Sequence, residues 1–523
     1  MVWLLRVDYA SRSFMFSSAF VPADNLPTDD DGRPYTLDGS LGDMPEISEA
    51  FDLLASTSSA RSLSFRGLVF PVDIAALIEA GHDLGAATGE VSLWRVGDSY
   101  SDRLVWLTGP LSQPEYGAQG EPVAFTVEEN PFDDLAIIPS GQARASTSSL
   151  AAVEVTEVGE YYPTVFGTPG LYTDEAGATE KVPGTIAVVV ARTAGACDTI
   201  VIAGHQVEAS TVRIWSGGAL TEAMTVSNAS DLLGNTIATV DLTASTGPID
   251  RTADEFFVTW DNGGGAVNDV GGLVTGGGDL LEYFLSRSTL RVDYGRLTAA
   301  KPHLNRYKFS GYVNEAVSPW EWCEINLMPL LPASVVAGPD GVYPVVWRFD
   351  AIAEDAVETI DADNGLAVRA GPVSYGAEPI DVRNDFRIDY APDANTQKAQ
   401  RFVQLRAGYD RSNVNELGSY YAEVSASRFG SATSTKTVPI IYDGATARSI
   451  AAWQVRAYGL LHRSVAYTVP KSFGWLTLGS VVKLTDSDLS LSERVALVQA
   501  IRWETEEALS VTLLLVDDPV RDI

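Results

Sequence analysis

Basic residues are scarce in this sequence. Among its 523 residues, 36 are Lys or Arg and 69 are Asp or Glu, which gives a formal net charge of −33 at pH 7. Non-specific nucleic-acid binding and docking on anionic lipid both depend on basic side chains. The composition therefore argues against specific nucleic-acid binding and against a membrane-surface role. An acidic surface favours solubility and repels DNA that passes close to it.

Cysteine is scarcer still. Cys197 and Cys323 lie far apart in the sequence, so they provide neither a disulfide framework nor a four-ligand zinc site by themselves. Because Cys323 falls in a predicted amphipathic helix, we expect it to be a small buried apolar residue. A single disulfide between the two cysteines is the alternative.

Long hydrophobic runs are absent. No stretch approaches 18 apolar residues, so we expect no transmembrane span. Residues 1–8 lack a basic region and turn polar too early for a signal peptide. We interpret them as a first β-strand, in a protein made and used without export.

Catalytic motifs are also missing. No Lys follows a Gly, which excludes a P-loop, and neither a Gly-x-Ser-x-Gly elbow nor a His-Glu-x-x-His helix occurs. The four histidines are isolated in sequence, and we interpret each as structural; they are His82, His205, His303 and His462. We predict no catalytic, cofactor-binding or metal-binding residue, and a protein that is not an enzyme.

Acidic clusters are candidate cation sites. Asp29-Asp30-Asp31-Gly32 resembles part of a calcium loop, but its Gly is out of register and the closing Glu is missing, so a solvated turn is favoured over cation binding. The pairs Asp361/Asp363 and Asp486/Asp488 lie in turn-like contexts, which predicts Asx-turn chemistry. A glycosidase carboxylate pair stays open, because such pairs lie far apart in sequence.

Aromatic residues are plentiful, with eleven Trp and twenty Tyr. Exposed rings provide platforms for sugars, whereas rings beside aliphatic neighbours in strands belong to cores or interfaces. We favour the second interpretation for six tryptophans in predicted strands, which are Trp94, Trp106, Trp215, Trp260, Trp347 and Trp503.

Short β-patterns dominate the chain. Val123, Phe125 and Val127 alternate with more polar positions, as a half-buried strand requires, and many similar runs follow between Gly and Asx turns. The pattern predicts a mainly β fold with a few inserted helices, a multidomain β-sandwich or barrel-like protein with an α+β segment in the middle. The expected units are a β-rich domain (1–150), a sandwich or barrel-like domain (151–275), an α/β segment (276–345) and a β-rich domain with one long helix and a closing sheet (346–523).

Helix signals concentrate in the third unit. Asp279 with Glu282 predicts a helix start after Gly276-Gly277-Gly278, which we interpret as part of a flexible loop. Ser318-Pro319-Trp320-Glu321 is a fuller start signal, and its helix is expected to stop at Pro329 and Pro332. Residues 443–462 form the longest predicted helix.

Several segments together resemble one protein family. They are Leu107-Thr108-Gly109-Pro110, Pro114-Glu115-Tyr116-Gly117-Ala118-Gln119-Gly120-Glu121-Pro122, Glu128-Glu129-Asn130-Pro131, Tyr162-Pro163-Thr164-Val165-Phe166-Gly167-Thr168-Pro169-Gly170, Leu304-Asn305-Arg306-Tyr307, Ser318-Pro319-Trp320-Glu321-Trp322, residues 478–486 and Ile501-Arg502-Trp503. Spread over most of the chain, these short pieces are similar to the baseplate hub (tail-tip) proteins of long-tailed, siphophage-type bacteriophages and gene transfer agents.

The resemblance implies a structural virion protein. Such hubs form a homotrimer at the end of the tail tube, and their partners are the distal tail protein, the tail tube, the tape measure and the receptor-binding or tail fibre proteins. They close the lumen and open for DNA ejection. Some relatives carry fused peptidase or glycan-binding modules, and this sequence shows none that is recognisable.

Two other functions stay open. A carbohydrate-binding or glycan-cleaving β-protein would use exposed aromatics and an acid pair. A secreted surface-layer or adhesin protein is disfavoured by the N-terminal strand.

Overall fold

The structure of the protein is a computed structural model. This structure describes residues 2–9, 12–21, 37, 39–41, 48–50, 61–69, 79–81, 87–115, 123–129, 132–150, 155–208, 210–245, 247, 249–261, 273–375, 381–407, 417–503 and 508–516. The Asp29–Asp31 cluster with Gly32, His82 and residues 73–78 of a further predicted helix (73–80) lie outside these ranges.

Strands make up most of the regular structure. In chain order they are β1 Val2–Tyr9, β2 Arg12–Ser17, β3 Ser48–Ala50, β4 Arg61–Leu68, β5 Thr88–Trp94, β6 Leu104–Glu115, β7 Val123–Glu129, β8 Thr164–Phe166, β9 Leu171–Thr173, β10 Thr179–Lys181, β11 Thr185–Thr193, β12 Ala196–Ala203, β13 Thr211–Ser216, β14 Ala219–Leu220, β15 Met224–Thr225, β16 Ser227–Ser230, β17 Thr236–Asp241, β18 Phe256–Trp260, β19 Gly311–Val313, β20 Ala333–Gly338, β21 Gly341–Val346, β22 Glu358–Asp361, β23 Val368–Arg369, β24 Ser374–Tyr375, β25 Asp385–Asp393, β26 Lys398–Leu405, β27 Thr433–Thr437, β28 Arg463–Pro470, β29 Val481–Asp486, β30 Leu491–Trp503 and β31 Ala508–Leu515.

Helices are fewer, and those whose bounds lie within the described ranges fall after residue 275. They are α1 Gly277–Leu285, α2 Tyr294–Leu304, α3 Pro319–Trp322, α4 Leu417–Phe429 and α5 Gly444–Tyr458. The predicted mainly β fold class with a few inserted helices is confirmed. None of the helices within the described ranges is long and apolar enough to cross a membrane.

The first sheet is an antiparallel arrangement in the order β2-β1-β5-β6-β7-β4. The predicted first strand is observed as β1, which pairs with β2 in a hairpin, and the predicted alternating strand with Phe125 is observed as β7. Phe125 and Val127 of β7 are buried while Ala124 and Thr126 between them are partly exposed. This alternation places one face of β7 on a core shared with β1, β4, β5 and β6.

A second antiparallel sheet follows in the order β14-β13-β18-β11-β12-β17-β16, with β15 also paired to β13. Its core contains the fully buried Trp260 together with Cys197. The sheet is joined to the rest of the protein by β8, which pairs with β19.

The start of α1 differs from the sequence prediction. Gly276, not Asp279, is the N-cap, and Asp279 lies in the first turn. A Cβ atom at Gly276 would lie 2.3 Å from Oδ1 of Asn305. The glycine run is therefore a site of close packing rather than a flexible loop, because only glycine allows this approach.

The predicted start at Ser318 is confirmed, since its hydroxyl accepts a hydrogen bond from the N–H of Glu321 and Pro319 occupies the first helical position. The end differs from the prediction. The helix continues as a π-turn over Cys323–Leu327 and a 3-10 turn over Met328–Leu330, which contains Pro329. The last turn ends at Leu331, just before Pro332.

Helix α2 was missed by the sequence prediction. Asp293 caps it by accepting a hydrogen bond from the N–H of Arg296, and Pro302 lies inside its last turn. Helix α4 was missed as well. The long predicted helix is confirmed as α5, which Asp443 caps through the N–H of Thr446.

The third large sheet has the order β22-β29-β30-β31-β28-β23, with β24 also paired to β28 and β3 paired to β30. Strands β22 and β29 are parallel, and the remaining pairs are antiparallel. The predicted closing strands 478–486, 494–504 and 509–516 correspond to β29, β30 and β31.

One large apolar core contains residues between Ile138 and Val516 and includes the buried face of α5, while the second large sheet has a core of its own. Phe166 of β8 packs edge-on against Trp322, with ring centroids 5.4 Å apart. The boundaries of the four predicted domains stay predictions.

Candidate functional site

A cavity of about 360 Å³ opens between α2, α5 and the turn after β21. Its polar lining is dominated by four arginines, which we call the arginine pocket: Arg306, Arg348, Arg448 and Arg456. Arg448, Ala452 and Arg456 follow the i, i+4, i+8 spacing of one helical face on α5. His303 and Arg306 come from the end of α2 and the residues that follow it.

The turn after β21 forms the opposite wall. The N–H of Trp347 donates to the carbonyl of Pro332 (2.7 Å), and the N–H of Ala351 donates to the carbonyl of Arg348 (3.0 Å). Trp347 also packs edge-on against Trp453 of α5, at 5.7 Å between centroids. These bonds fix the backbone from which Arg348 and Asp350 extend.

Asp350 connects two arginines of the pocket. Its carboxylate accepts hydrogen bonds from Nε of Arg348 at 3.1 Å and from Nη1 of Arg306 at 3.4 Å, while Arg348 also donates to Asp355 at 3.1 Å. Burial alone would raise the pKa of Asp350, but the hydrogen bond and charge of Arg348 outweigh it and lower the pKa. Asp350 is therefore ionised at neutral pH.

The two arginines on α5 are held differently. Arg448 forms an ion pair with Glu175, from the loop between β9 and β10. Arg456 donates to the hydroxyl of Tyr421 at 3.1 Å, and its guanidinium lies 4.8 Å from the centre of that ring. Burial, reinforced by the charges of Arg348 and Arg306, lowers the pKa of His303. His303 is thus a neutral neighbour in a positive environment.

A second polar junction lies at Asp134. Its carboxylate accepts hydrogen bonds from the backbone N–H groups of Thr289 (2.9 Å) and Trp320 (3.0 Å) and from the hydroxyl of Ser318 (3.1 Å). Burial would raise its pKa, but these donors and the N–H of Ala136 lower it overall. Asp134 thereby anchors the chain after the first sheet to the cap of α3.

The predicted turn acids do cap turns. Asp361 accepts a hydrogen bond from the N–H of Asp363, and Asp486 accepts from the N–H groups of Asp488 and Leu489. The fold also brings the two pairs together, since Asp363 accepts from the N–H and hydroxyl of Ser487. Within the described ranges no group of three or more His, Cys, Asp or Glu side chains is placed to hold a metal ion.

The described histidines have local partners. Nε2 of His205 accepts a hydrogen bond from the N–H of Val165 at 2.9 Å, and Nδ1 lies 3.0 Å from the carbonyl of Gln206, which fixes a neutral tautomer. His462 is buried, with Nε2 2.8 Å from the carbonyl of Arg456, and its ring stacks on Phe349. His303 is the one of these three that lines the cavity.

The tryptophan and cysteine predictions have clear outcomes. Trp94, Trp260 and Trp347 are buried, as predicted, and Trp106 and Trp215 are partly buried. Trp503 lies in β30, and its side chain is outside the described set. Cys323 is fully buried, as expected, and both cysteines are free thiols, so the alternative of a disulfide between them is not realised.

Comparison with known proteins gives distant likenesses only. No protein-family model matches the chain. No curated protein matches it either.

Among solved structures, the chain is similar to a tail protein from Neisseria meningitidis, with a TM-score of 0.38, 8% identity and coverage of 98% of this chain and 96% of that one. It is also similar to the 43 kDa tail protein of prophage MuSo2 from Shewanella oneidensis, with a TM-score of 0.35, 8% identity and coverage of 98% and 97%. A protein in the virion of a gene transfer agent gives a TM-score of 0.36, 12% identity and coverage of 73% and 89%. These are the kinds of assembly to which the sequence resemblance points, and at such scores the likeness by itself assigns neither a family nor a partner.

Proposed function

We propose that this chain is a structural subunit of a phage-type tail, located at the tail tip of the virion as its baseplate hub. The observation that carries the proposal is an exposed apolar edge on the third large sheet. Leu366, Val368 and Tyr375 are 54%, 64% and 63% exposed, and β23 and β24 are the outermost described strands on β28. We call these three residues the apolar edge.

An apolar sheet edge is disfavoured in a protein that works alone. Edge strands offer unpaired backbone groups, and large apolar side chains beside them promote association, so natural monomers usually protect such edges. A subunit that is covered by a neighbour needs no such protection. The apolar edge therefore supports a role in assembly.

The positions of the resembling segments give further support. Phe166 belongs to one of them and Trp322 to another, and the two rings touch in the core. The sequence resemblance thus includes residues that contact each other across the fold, rather than unconnected fragments.

The proposed assembly is a homotrimer that contacts the distal tail protein, the tail tube, the tape measure and the receptor-binding or tail fibre proteins. The chain would close the lumen and open for DNA ejection without acting as an enzyme. A net charge of −33 fits this function, because acidic lumen walls would let DNA pass without binding it.

The test is the mass of the chain in solution, measured by light scattering, with and without a co-expressed distal tail protein, followed by negative-stain imaging. We expect a particle of about 168 kDa, three times 56.0 kDa, with a three-fold outline. A 56.0 kDa monomer under both conditions, together with binding or turnover on a glycan panel, would instead support the carbohydrate-protein alternative.

A further inference from the structure

The arginine pocket reverses the charge balance of the protein. The whole chain has 69 acidic and 36 basic residues, yet the cavity is lined by four arginines and one carboxylate, Asp350. Two carboxylates outside this lining, Glu175 and Asp355, pair with Arg448 and Arg348, so the four arginines face three acids and keep one positive charge in excess. Long-range repulsion between like charges disfavours four guanidinium groups around one cavity.

Part of this charge is accessible. The side chain of Arg306 is 62% exposed, and its contact with Asp350, at 3.4 Å, is at the long end of the hydrogen-bond range. Arg348 divides its donors between Asp350 and Asp355, so the two acids are shared among the arginines on this side. A guanidinium carries five N–H donors in a planar fork, and these contacts use only some of them.

We propose that the arginine pocket binds a compact anionic group, a phosphate or a carboxylate. Guanidinium groups bind both anions through paired, charge-assisted hydrogen bonds. Arg306 and Arg348 provide the donors at the mouth, and Arg456, which donates to the neutral hydroxyl of Tyr421, contributes positive charge from α5. A cavity of about 360 Å³ accommodates such a group attached to a small body, such as a sugar ring.

The experiment is isothermal titration of the full chain at constant ionic strength with three probes. Inorganic phosphate tests a phosphate group, glucuronate tests a carboxylate on a sugar ring, and glucose tests the ring without charge. We expect saturable binding of at least one of the anions and none of glucose. The anion that binds more tightly shows whether the pocket takes a phosphate or a carboxylate.

Two variants test the location. Arg306→Gln and Arg348→Gln should each weaken the binding about tenfold, as the loss of one charge-assisted contact implies. Arg291→Gln is the matched control, because Arg291 is similarly exposed (65%) and lies outside the cavity.

Circular dichroism shows whether each variant still folds, so that a loss of binding can be distinguished from a loss of folding. Because the side chain of Arg306 is 62% exposed, Arg306→Gln is the variant that should disturb the fold least. Equal affinity in Arg306→Gln and Arg291→Gln would overturn the proposal. Heat signals that rise linearly with probe concentration in the unmodified chain would do so as well, because they would indicate general ionic effects without a site.

Discussion

The ring of Phe284 stacks on the indole of Trp322, with centroids 4.2 Å apart and planes inclined by 15°. Phe284 belongs to α1, and Trp322 ends α3. Phe166 of β8 touches both rings from the side, which joins the β8–β19 pair to the helical segment. Three distant parts of the chain therefore depend on one aromatic cluster.

Removing the ring of Phe284 should destabilise the large core to which α1, α3 and α5 contribute. Phe284 is fully buried, so Phe284→Ala leaves a cavity, and we expect a loss of about 3–5 kcal/mol in the free energy of unfolding. Urea denaturation followed by tryptophan fluorescence measures it. Trp475→Ala is the control, because Trp475 is 52% exposed and its removal should change the free energy by less than about 0.5 kcal/mol. Equal effects of the two substitutions would contradict the central role of the cluster.

Asp134 should make stability depend on pH. Its folded-state pKa is lowered, so its carboxylate stabilises the fold fully above the unfolded pKa, near 4, and this contribution disappears as the pH falls through the folded value. Asp134→Asn should cost about 1–3 kcal/mol at pH 7, because its hydrogen-bond donors lose a charged acceptor. The difference in the free energy of unfolding between Asp134→Asn and the unmodified protein should shrink below about pH 4.

Urea denaturation at pH 7, 5 and 3.5 tests this behaviour. Asp133→Asn is the matched control, since Asp133 is the exposed neighbour and should leave stability unchanged. If the loss in unfolding free energy caused by Asp134→Asn stays constant with pH, the charge of Asp134 does not contribute to stability.

Neither cysteine should react in the folded protein. Burial raises the pKa of the Cys197 thiol to about 11 and that of Cys323 well above its ordinary value, and the thiolate is the reactive form. We expect no reaction with a thiol reagent in buffer and two thiols per chain in guanidinium without reductant. Finding none in guanidinium would reveal a disulfide between Cys197 and Cys323, contrary to the structure.

The apolar edge should contribute to assembly and not to folding. Val368→Lys places a charge on a side chain that is 64% exposed, so the thermal midpoint of the isolated chain should barely change while the assembled fraction falls. Val158→Lys is the matched control, at a valine that is 52% exposed elsewhere. Analytical ultracentrifugation of both variants with the co-expressed partner gives the comparison. An unchanged assembled fraction for Val368→Lys would remove this edge from the interface.

Local signals in the sequence predicted local structure well. Ser318 with Pro319 identified a true helix cap, because capping depends on residues within one turn. The start signal at Asp279 found α1 but placed its cap three residues after Gly276. Helix α2 escaped prediction because Gly295 and Pro302 weaken its intrinsic preference, and its packing on α1 compensates, as shown by the ion pairs of Lys301 with Asp279 and Glu282.

The candidate site was beyond the reach of local patterns. The spacing of Arg448 and Arg456 on a predicted helix was visible in the sequence, but Arg306 and Arg348 come from separate connections that only the folded core brings together. The aromatic residues show the same limit, since Trp347 could be predicted as buried while its position in the cavity wall depends on α5.

The pairing of β3 with β30 has a consequence for biosynthesis. Ser48–Ala50 align with Ala500–Arg502, so a strand made early by the ribosome completes a sheet whose other strands are made late. Contacts between residues so distant in sequence form slowly, because a long loop must close first. The early strand waits through most of translation with its backbone groups unpaired by β30, and the third large sheet reaches its full width only after β31, which ends at Leu515, has left the ribosome.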